Sequence, residues 1–300
     1  MESNFLMRRL KALLPVAAIA VLAVVAVTIA MTILGGDPTE PVVPPSVPAT
    51  VPGGSQSGAP SATASATGYS PGYTEPLPST PPVVRTERRR ERDPNGVWYV
   101  DFMYPQFQPG TTPLGYIVNQ DIASEIDTRI VAFEGGPAAV REIPGKRNQL
   151  TGSYGIDMLS PDLVSFTLRW VDDTAVDHPV TSVETLNYAL NTGQRLDFGA
   201  IFADQPGAFA ILSEQSRIKL RQLLGNAYDP TVVEGGTNPI GTNFTNWALT
   251  EAGLKITFPE FQVGNYATGT PFVVISWSDL KLVMRPDGPA SRLAGFPAGT

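Results

Sequence analysis

The chain has 300 residues, 28 of them acidic and 21 basic, for a formal net charge of −7. It contains no cysteine, which excludes thiol catalysis, disulfide stapling and cysteine-ligated zinc. An acidic chain repels nucleic acid and favours cationic partners, so no nucleic-acid partner is expected.

The first feature along the chain is a run of 25 uncharged residues, Ala12 to Gly36, preceded by Arg8, Arg9 and Lys11 and followed by Asp37 and Glu40. About 20 apolar residues in a helix cross roughly 30 Å of hydrocarbon. The run therefore predicts a single transmembrane anchor over 12–36. The positive-inside bias places residues 1–11 in the cytoplasm and everything after Gly36 outside. The alternative is a cleaved signal peptide, whose apolar region usually runs about 7–15 residues to a small-x-small cleavage site. In both cases the body of the chain lies outside the cytoplasmic membrane.

Residues 37–95 hold 13 of the 29 prolines, with much Ser, Thr, Gly and Ala. Such a stretch buries too little apolar surface to offset its ordering entropy, so it reads as a disordered tether with an end-to-end distance of about 40 Å. It closes on Arg85-Thr-Glu-Arg-Arg-Arg-Glu-Arg92, five arginines against two glutamates. That run reads as a solvated linker end, an exposed protease site, or a contact for anionic wall polymer or lipid headgroups. The remaining 96–300 segment is large enough for a sizeable core and carries 13 basic and 21 acidic residues, a formal −8.

Within that segment, Val97–Phe107 is β-rich and reads as the first strand. Ile117, Ile122, Ile126, Ile130 and Phe133 recur at helical spacing, predicting an amphipathic helix over 115–134 that stops at Gly135-Gly136-Pro137. Strands are expected at 148–159, 163–172 and 180–190, with turns at Ser160-Pro-Asp162 and Asn191-Thr-Gly193. A second helix is expected at about 207–225, on Phe209, Leu212, Leu220, Leu223 and Leu224. A hairpin follows, formed by 244–249 and 254–258 about the turn Thr250-Glu-Ala-Gly253. A strand at 271–276 and a short closing helix at 277–284 complete the order. The expected class is α+β, two helices packed on a mainly antiparallel sheet, with 96–147 and 148–285 as subregions.

His178 is the only histidine, so any Ser-His-Asp arrangement must use it. No Gly-x-Ser-x-Gly elbow nominates a serine. Ser216-Arg-Ile-Lys219 has the Ser-x-x-Lys spacing of penicillin-recognising enzymes, but falls inside the predicted helix without its companion motifs. Asp172, Asp173, Asp177 and His178 form an oxygen-rich group that could hold calcium weakly or act as an acid/base pair. Its spacing fits no EF-hand, and neither metal nor cofactor is expected. Phe261 and Tyr266 lie in a Gly- and Pro-punctuated segment after a strand, where aromatics either serve as exposed interface anchors or cap the sheet edge.

Several segments together carry a resemblance. They are Tyr154 with Leu163-Val-Ser165-Phe166, then Asp177-His-Pro179, Leu186-Asn-Tyr-Ala-Leu-Asn-Thr-Gly193, Leu196-Asp-Phe198 and Ile201-Phe202. Trp247 to Phe258-Pro259 and Tyr266-Ala-Thr-Gly269 continue the series. In this order they resemble, over roughly 97–284, the extracytoplasmic domain shared by the lysozyme-sensing anti-sigma factor RsiV and the N-terminal module of the peptidoglycan deacetylase PdaC. A secreted immunogenic antigen of mycobacteria is also similar. The chain departs from that pattern at Val176-Asp177, where small residues are usual before His-Pro, and at Phe261, where Tyr is usual. Eleven residues are too few for a sigma-binding segment and no deacetylase domain follows, so neither activity carries over. The resemblance implies a non-enzymatic envelope domain that binds a lysozyme-like protein or a peptidoglycan-derived ligand. Its expected binding residues are Phe261, Tyr266, Pro259, Asp177 and His178. A wall hydrolase or esterase using His178, and an envelope assembly factor, stand as the alternatives.

Overall fold

The structure is a computed structural model that describes residues 78–136, 147–174 and 178–297. The expected cytoplasmic tail, the anchor at 12–36 and the tether as far as residue 77 lie outside the described residues, as does Asp177. Among the described residues, all within the compact unit Pro71–Thr300, no helix is long and apolar enough to cross a membrane.

Six strands form one sheet in sequential order: β1 (Val84–Arg92), β2 (Trp98–Phe107), β3 (Asn148–Leu159), β4 (Leu163–Asp173), β5 (Val180–Ala189) and β6 (Gln194–Arg195). Every neighbouring pair is antiparallel except β2 and β3. A parallel pair needs a crossover, and helix α1 (Gly115–Gly135) supplies it. Val118, Ile122, Ile126, Ile130 and Phe133 line the buried stripe of α1, while Ile117, expected there, is half-buried. The stripe packs on Val100, Phe102, Leu150, Leu168, Trp170 and Leu186. Within this core Phe102 stacks on Trp170 with centroids 3.5 Å apart. Gly152 makes the stack possible, since a Cβ there would lie 2.6 Å from the Phe102 ring and 2.1 Å from the Arg169 carbonyl oxygen.

A second core forms with Met158, Leu163 and Ala189 of the large sheet. Here a three-stranded antiparallel sheet, β7 (Trp247–Leu249), β8 (Gly253–Thr257) and β9 (Phe272–Ser276), meets helix α3 (Gln205–Leu224). The one-turn helix α2 (Phe198–Ile201), the short α4 (Pro230–Gly236) and α5 (Trp277–Leu280) frame it. Asp197, Asp204 and Asp229 each cap the N-terminus of the helix that follows by accepting backbone N–H bonds. Ala208, Leu212 and Leu220 of α3 face the core, whereas Leu223 is exposed.

The two sheets are joined by buried polar groups. Ser165 and Asn187, opposite each other on β4 and β5, both point at β7. The Leu249 N–H donates to Ser165 Oγ (2.9 Å) and Asn187 Oδ1 (3.2 Å), and Asn187 Nδ2 donates to the Trp247 carbonyl (2.8 Å). Nearby, Lys255 Nζ of β8 reaches Asp157 Oδ1 of β3 at 2.7 Å.

Two expectations are corrected. The tether does not continue to residue 95, because 84–92 form β1, paired residue for residue with β2. An edge strand needs only one bonded side and no buried face, so its charges hid it. The helices number five among the described residues: besides the two long ones, α5 lies within the closing helix expected at 277–284, whereas the short α2 and α4 were not expected, because turn-like sequence there meets a buried apolar residue.

Asn187→Ala should remove both the donor and one acceptor that β7 uses, lowering stability by about 2–3 kcal/mol. Ser165→Ala should cost about 1 kcal/mol, since Leu249 keeps Asn187 as its acceptor. Urea unfolding at constant m-value checks both, and equal effects would contradict this ordering.

Candidate functional site

The strand β8 runs into a loop, 258–271, that returns as β9. Its first residues form a tight turn in which the Gln262 N–H donates to the Pro259 carbonyl at 3.2 Å. Phe261 occupies the third position of this turn with φ +68°, making it the one non-glycine residue of positive φ among those described. Glycine is the usual occupant of that position, since a Cβ meets the following carbonyl there. The turn is nonetheless held firmly. Gln262 Nε2 donates to the carbonyls of Gly236 (2.7 Å) and Asn243 (2.9 Å), and the Val263 side chain is buried. A Cβ at Gly236 would lie 1.9 Å from the Gln262 carbonyl oxygen, so the loop and α4 are in backbone contact.

Tyr266 follows at the start of a single 3-10 turn, Tyr266–Thr268, that Gly269 ends with φ +63°. Phe261 and Tyr266 are 52% and 44% exposed, and their rings stack with centroids 6.2 Å apart. The ring of His178, just before β5, lies 4.1 Å from Tyr266 and 6.3 Å from Phe261. Three of the residues singled out from the sequence thus converge on one exposed aromatic cluster. Pro259 is half-buried and contributes the carbonyl that closes the turn.

His178 Nδ1 is 3.3 Å from the Pro179 carbonyl oxygen, which accepts from it in the tautomer that carries the proton on Nδ1. No carboxylate hydrogen-bonds His178 among the described residues, and Asp172 accepts from Thr174 Oγ1 at 2.6 Å instead. Among the described residues no group of three His, Asp or Glu side chains is placed to hold a metal ion. Ser216 is fully buried on α3 with its hydroxyl unpartnered among the described residues, and no hydrogen bond joins it to Lys219.

A second concavity escaped the sequence reading. A cleft of about 510 Å³ opens between β5, the end of β6 and the 3-10 turn Gly241–Phe244. Its floor is aromatic: Phe198 stacks on Phe209 with centroids 4.6 Å apart and meets Trp247 edge-on at 6.0 Å. Thr185, Asp197 and Thr245 stand at its sides, and Arg195 at its edge. Arg195 is held by Glu125 of α1 (2.6 Å) and Glu184 of β5 (3.3 Å). Burial, and then the like charge of Glu125, push the Glu184 carboxyl up to about 7, against the opposing pull of Arg195. The signal for this cleft was present in Leu196-Asp-Phe198, but Phe209 and Trp247 come from distant elements.

Residues 200–278 match the family model described as a protein of unknown function (DUF3298). Phe261 and Tyr266 fall inside the matched stretch and His178 outside it. The fold is similar to the crystal structure of a DUF3298 family member from Bacteroides fragilis, with a TM-score of 0.53 at 11% identity over 72% of this chain and 98% of that one. A DUF3298 family protein from Pseudomonas aeruginosa PAO1 aligns at 14% identity with a TM-score of 0.48, over 72% and 97% of the two chains. No curated protein matches the chain.

The Glu184 shift gives a pH prediction. A carboxyl raised above its ordinary 4.5 favours the folded state when protonated, so its contribution is complete below about pH 4.5 and is lost as pH rises through about 7. Glu184→Gln should flatten the fall in stability between pH 5 and 8 and leave the variant about 2 kcal/mol more stable than the wild type at pH 8. Parallel urea titrations across that range would refute the assignment if the two proteins kept the same slope.

Proposed function

We propose that the chain is a membrane-anchored, non-enzymatic binding protein of the bacterial cell envelope whose domain recognises a partner through Phe261, Tyr266 and His178. The observation that carries this reading is Phe261 itself. Its backbone is strained by about 1–2 kcal/mol, and about half of the residue is left in solvent, so its burial offsets that strain only in part. A fixed, solvent-facing aromatic loses little entropy on association, which is how interface anchors act.

The partner class follows from charge and from the resemblance to the RsiV and PdaC extracytoplasmic domain. A lysozyme-like protein is cationic and suits a domain of formal −8. A peptidoglycan fragment is the second candidate, since sugar rings stack on exposed aromatic faces. The anchor at 12–36 and the tether would present this surface beyond the membrane.

The test is titration of the full chain in detergent with lysozyme and with peptidoglycan fragments, at low and physiological salt. Phe261→Ala and Tyr266→Ala should each weaken binding by about tenfold or more. Phe261→Gly separates recognition from folding: it should abolish binding while leaving stability within about 1 kcal/mol of the wild type, because glycine takes positive φ without strain and offsets the lost ring contacts. Binding to neither ligand at either salt would sink the reading, as would an unchanged affinity in the glycine variant.

A further inference from the structure

The arginine run that closes the expected tether is an edge strand, and its two faces differ. Arg85, Glu87, Arg89 and Glu91 turn toward α1, alternate in sign, and are laced by Arg89 to Glu91 (2.5 Å) and Asp127 (3.3 Å). Thr86, Arg88, Arg90 and Arg92 turn to the opposite face, which carries three cations and no anion of its own strand. Asp101 of β2 is the acid set against them. It takes Arg88 in a two-pronged pair and Arg90 Nε at 3.4 Å, and the Arg88 guanidinium holds its carboxyl well below the usual carboxylate range. Arg92 has no acidic partner among the described residues. The face keeps an excess of positive charge on a domain that is otherwise acidic.

The backbone of β1 is open on the same residues. Gln108 N–H donates to the Val83 carbonyl and Asp93 N–H to the Trp98 carbonyl. With the register between them, these bonds turn the N–H and C=O groups of the odd-numbered residues toward β2. The groups of Thr86, Arg88, Arg90 and Arg92 point away from the sheet, with no further strand beyond them among the described residues.

We infer that β1 is an acceptor for an extended acidic peptide segment, which adds to the sheet as a further strand and sets carboxylates at alternate positions against Arg88, Arg90 and Arg92. The backbone edge excludes other polyanions. It offers donors and acceptors in alternation, and a phosphate polymer or lipid headgroup supplies acceptors only. A second copy of β1 is disfavoured, because antiparallel self-pairing puts arginine opposite arginine. The surface lies four strands from β5 in the sheet, on the order of 20 Å, so it is separate from the aromatic cluster.

The probe is an eight-residue peptide of alternating threonine and glutamate, titrated into the full chain in detergent. Two controls accompany it: the same peptide N-methylated at alternate backbone nitrogens, and linear polyphosphate. Saturable binding is expected, with new hydrogen-exchange protection at the amides of Thr86, Arg88, Arg90 and Arg92 and no change at Arg89 or Glu91, whose amides already face β2. N-methylation and the pair Arg90→Thr with Arg92→Thr should each weaken binding about tenfold or more, with near-UV circular dichroism confirming that the variant is folded. Phe261→Ala should leave this affinity unchanged. Equal binding of the N-methylated peptide or of polyphosphate would overturn the proposal and reduce β1 to a charged patch. Absence of binding, or protection that is even along the strand, would overturn it as well.

Discussion

Two buried side chains, Ser165 and Asn187, hold the backbone of a strand that belongs to another sheet, and the second half of the domain is arranged around that bond. β7 is an edge strand of its own small sheet, and its open side is pressed against β4 and β5, where Ser165, Asn187 and Leu249 are buried. A buried N–H or carbonyl without a partner costs a substantial part of the stability of a domain this size. Asn187 answers both needs at once, since its amide accepts from Leu249 and donates to Trp247. An apolar residue of similar volume would fill the space and leave the strand unsatisfied.

With β7 seated, much of the rest follows from register. β8 lies beside it and brings Lys255 over Asp157, a second polar tie between the sheets with both side chains largely buried. The loop leaving β8 is then caught from the other direction by Gln262, whose amide spans to Gly236 and Asn243. The positive φ of Phe261 is therefore imposed from both sides of the turn. The large sheet is unevenly covered as a result. α1 packs across one face, and the small sheet covers the other over β3 to β5. The outer face of β1 and β2 is left to side chains that tolerate water.

Much of this order was legible. The strands at 148–159 and 163–173 announce themselves by β-branched and aromatic content on either side of Ser160-Pro-Asp162, and α1 by its apolar spacing and its glycine stop. β1 was not legible, because its alternation is of charge sign on one face and of unbroken cation on the other, and neither looks like a half-buried strand. α3 falls where its apolar residues place it, but Leu223, one of those apolar positions, is exposed. Helical position decides the matter, and the small residues Ala208, Ser213 and Ser216 take the inner face. At the site, Phe261 and Tyr266 stood out through their local setting and His178 through being single. Their meeting could not be read locally, because more than 80 residues separate His178 from Phe261 and only the docking of β7 to β9 on β5 closes that distance. The cleft floored by Phe198, Phe209 and Trp247 was missed for the same reason.

The two exposed surfaces stand in different relations to the stability of the fold. The arginines of β1 cost the domain little. Their backbone groups pair with β2 or face water, Asp101 and Asp127 offset part of their charge, and long cationic side chains at a sheet edge also discourage aggregation. Their presence is thus compatible with stability alone, and only the register of open backbone and unmatched charge points further. Phe261 is the opposite case. Its backbone conformation is unfavourable for any residue with a Cβ, and about half of the residue's surface is left in water. The three groups that hold it there, Pro259, Gln262 and Gly236, would hold a glycine equally well. The strained backbone of a half-exposed phenylalanine, at a position that suits glycine better, is therefore what the proposed recognition surface rests on, and Tyr266 and His178 extend that surface.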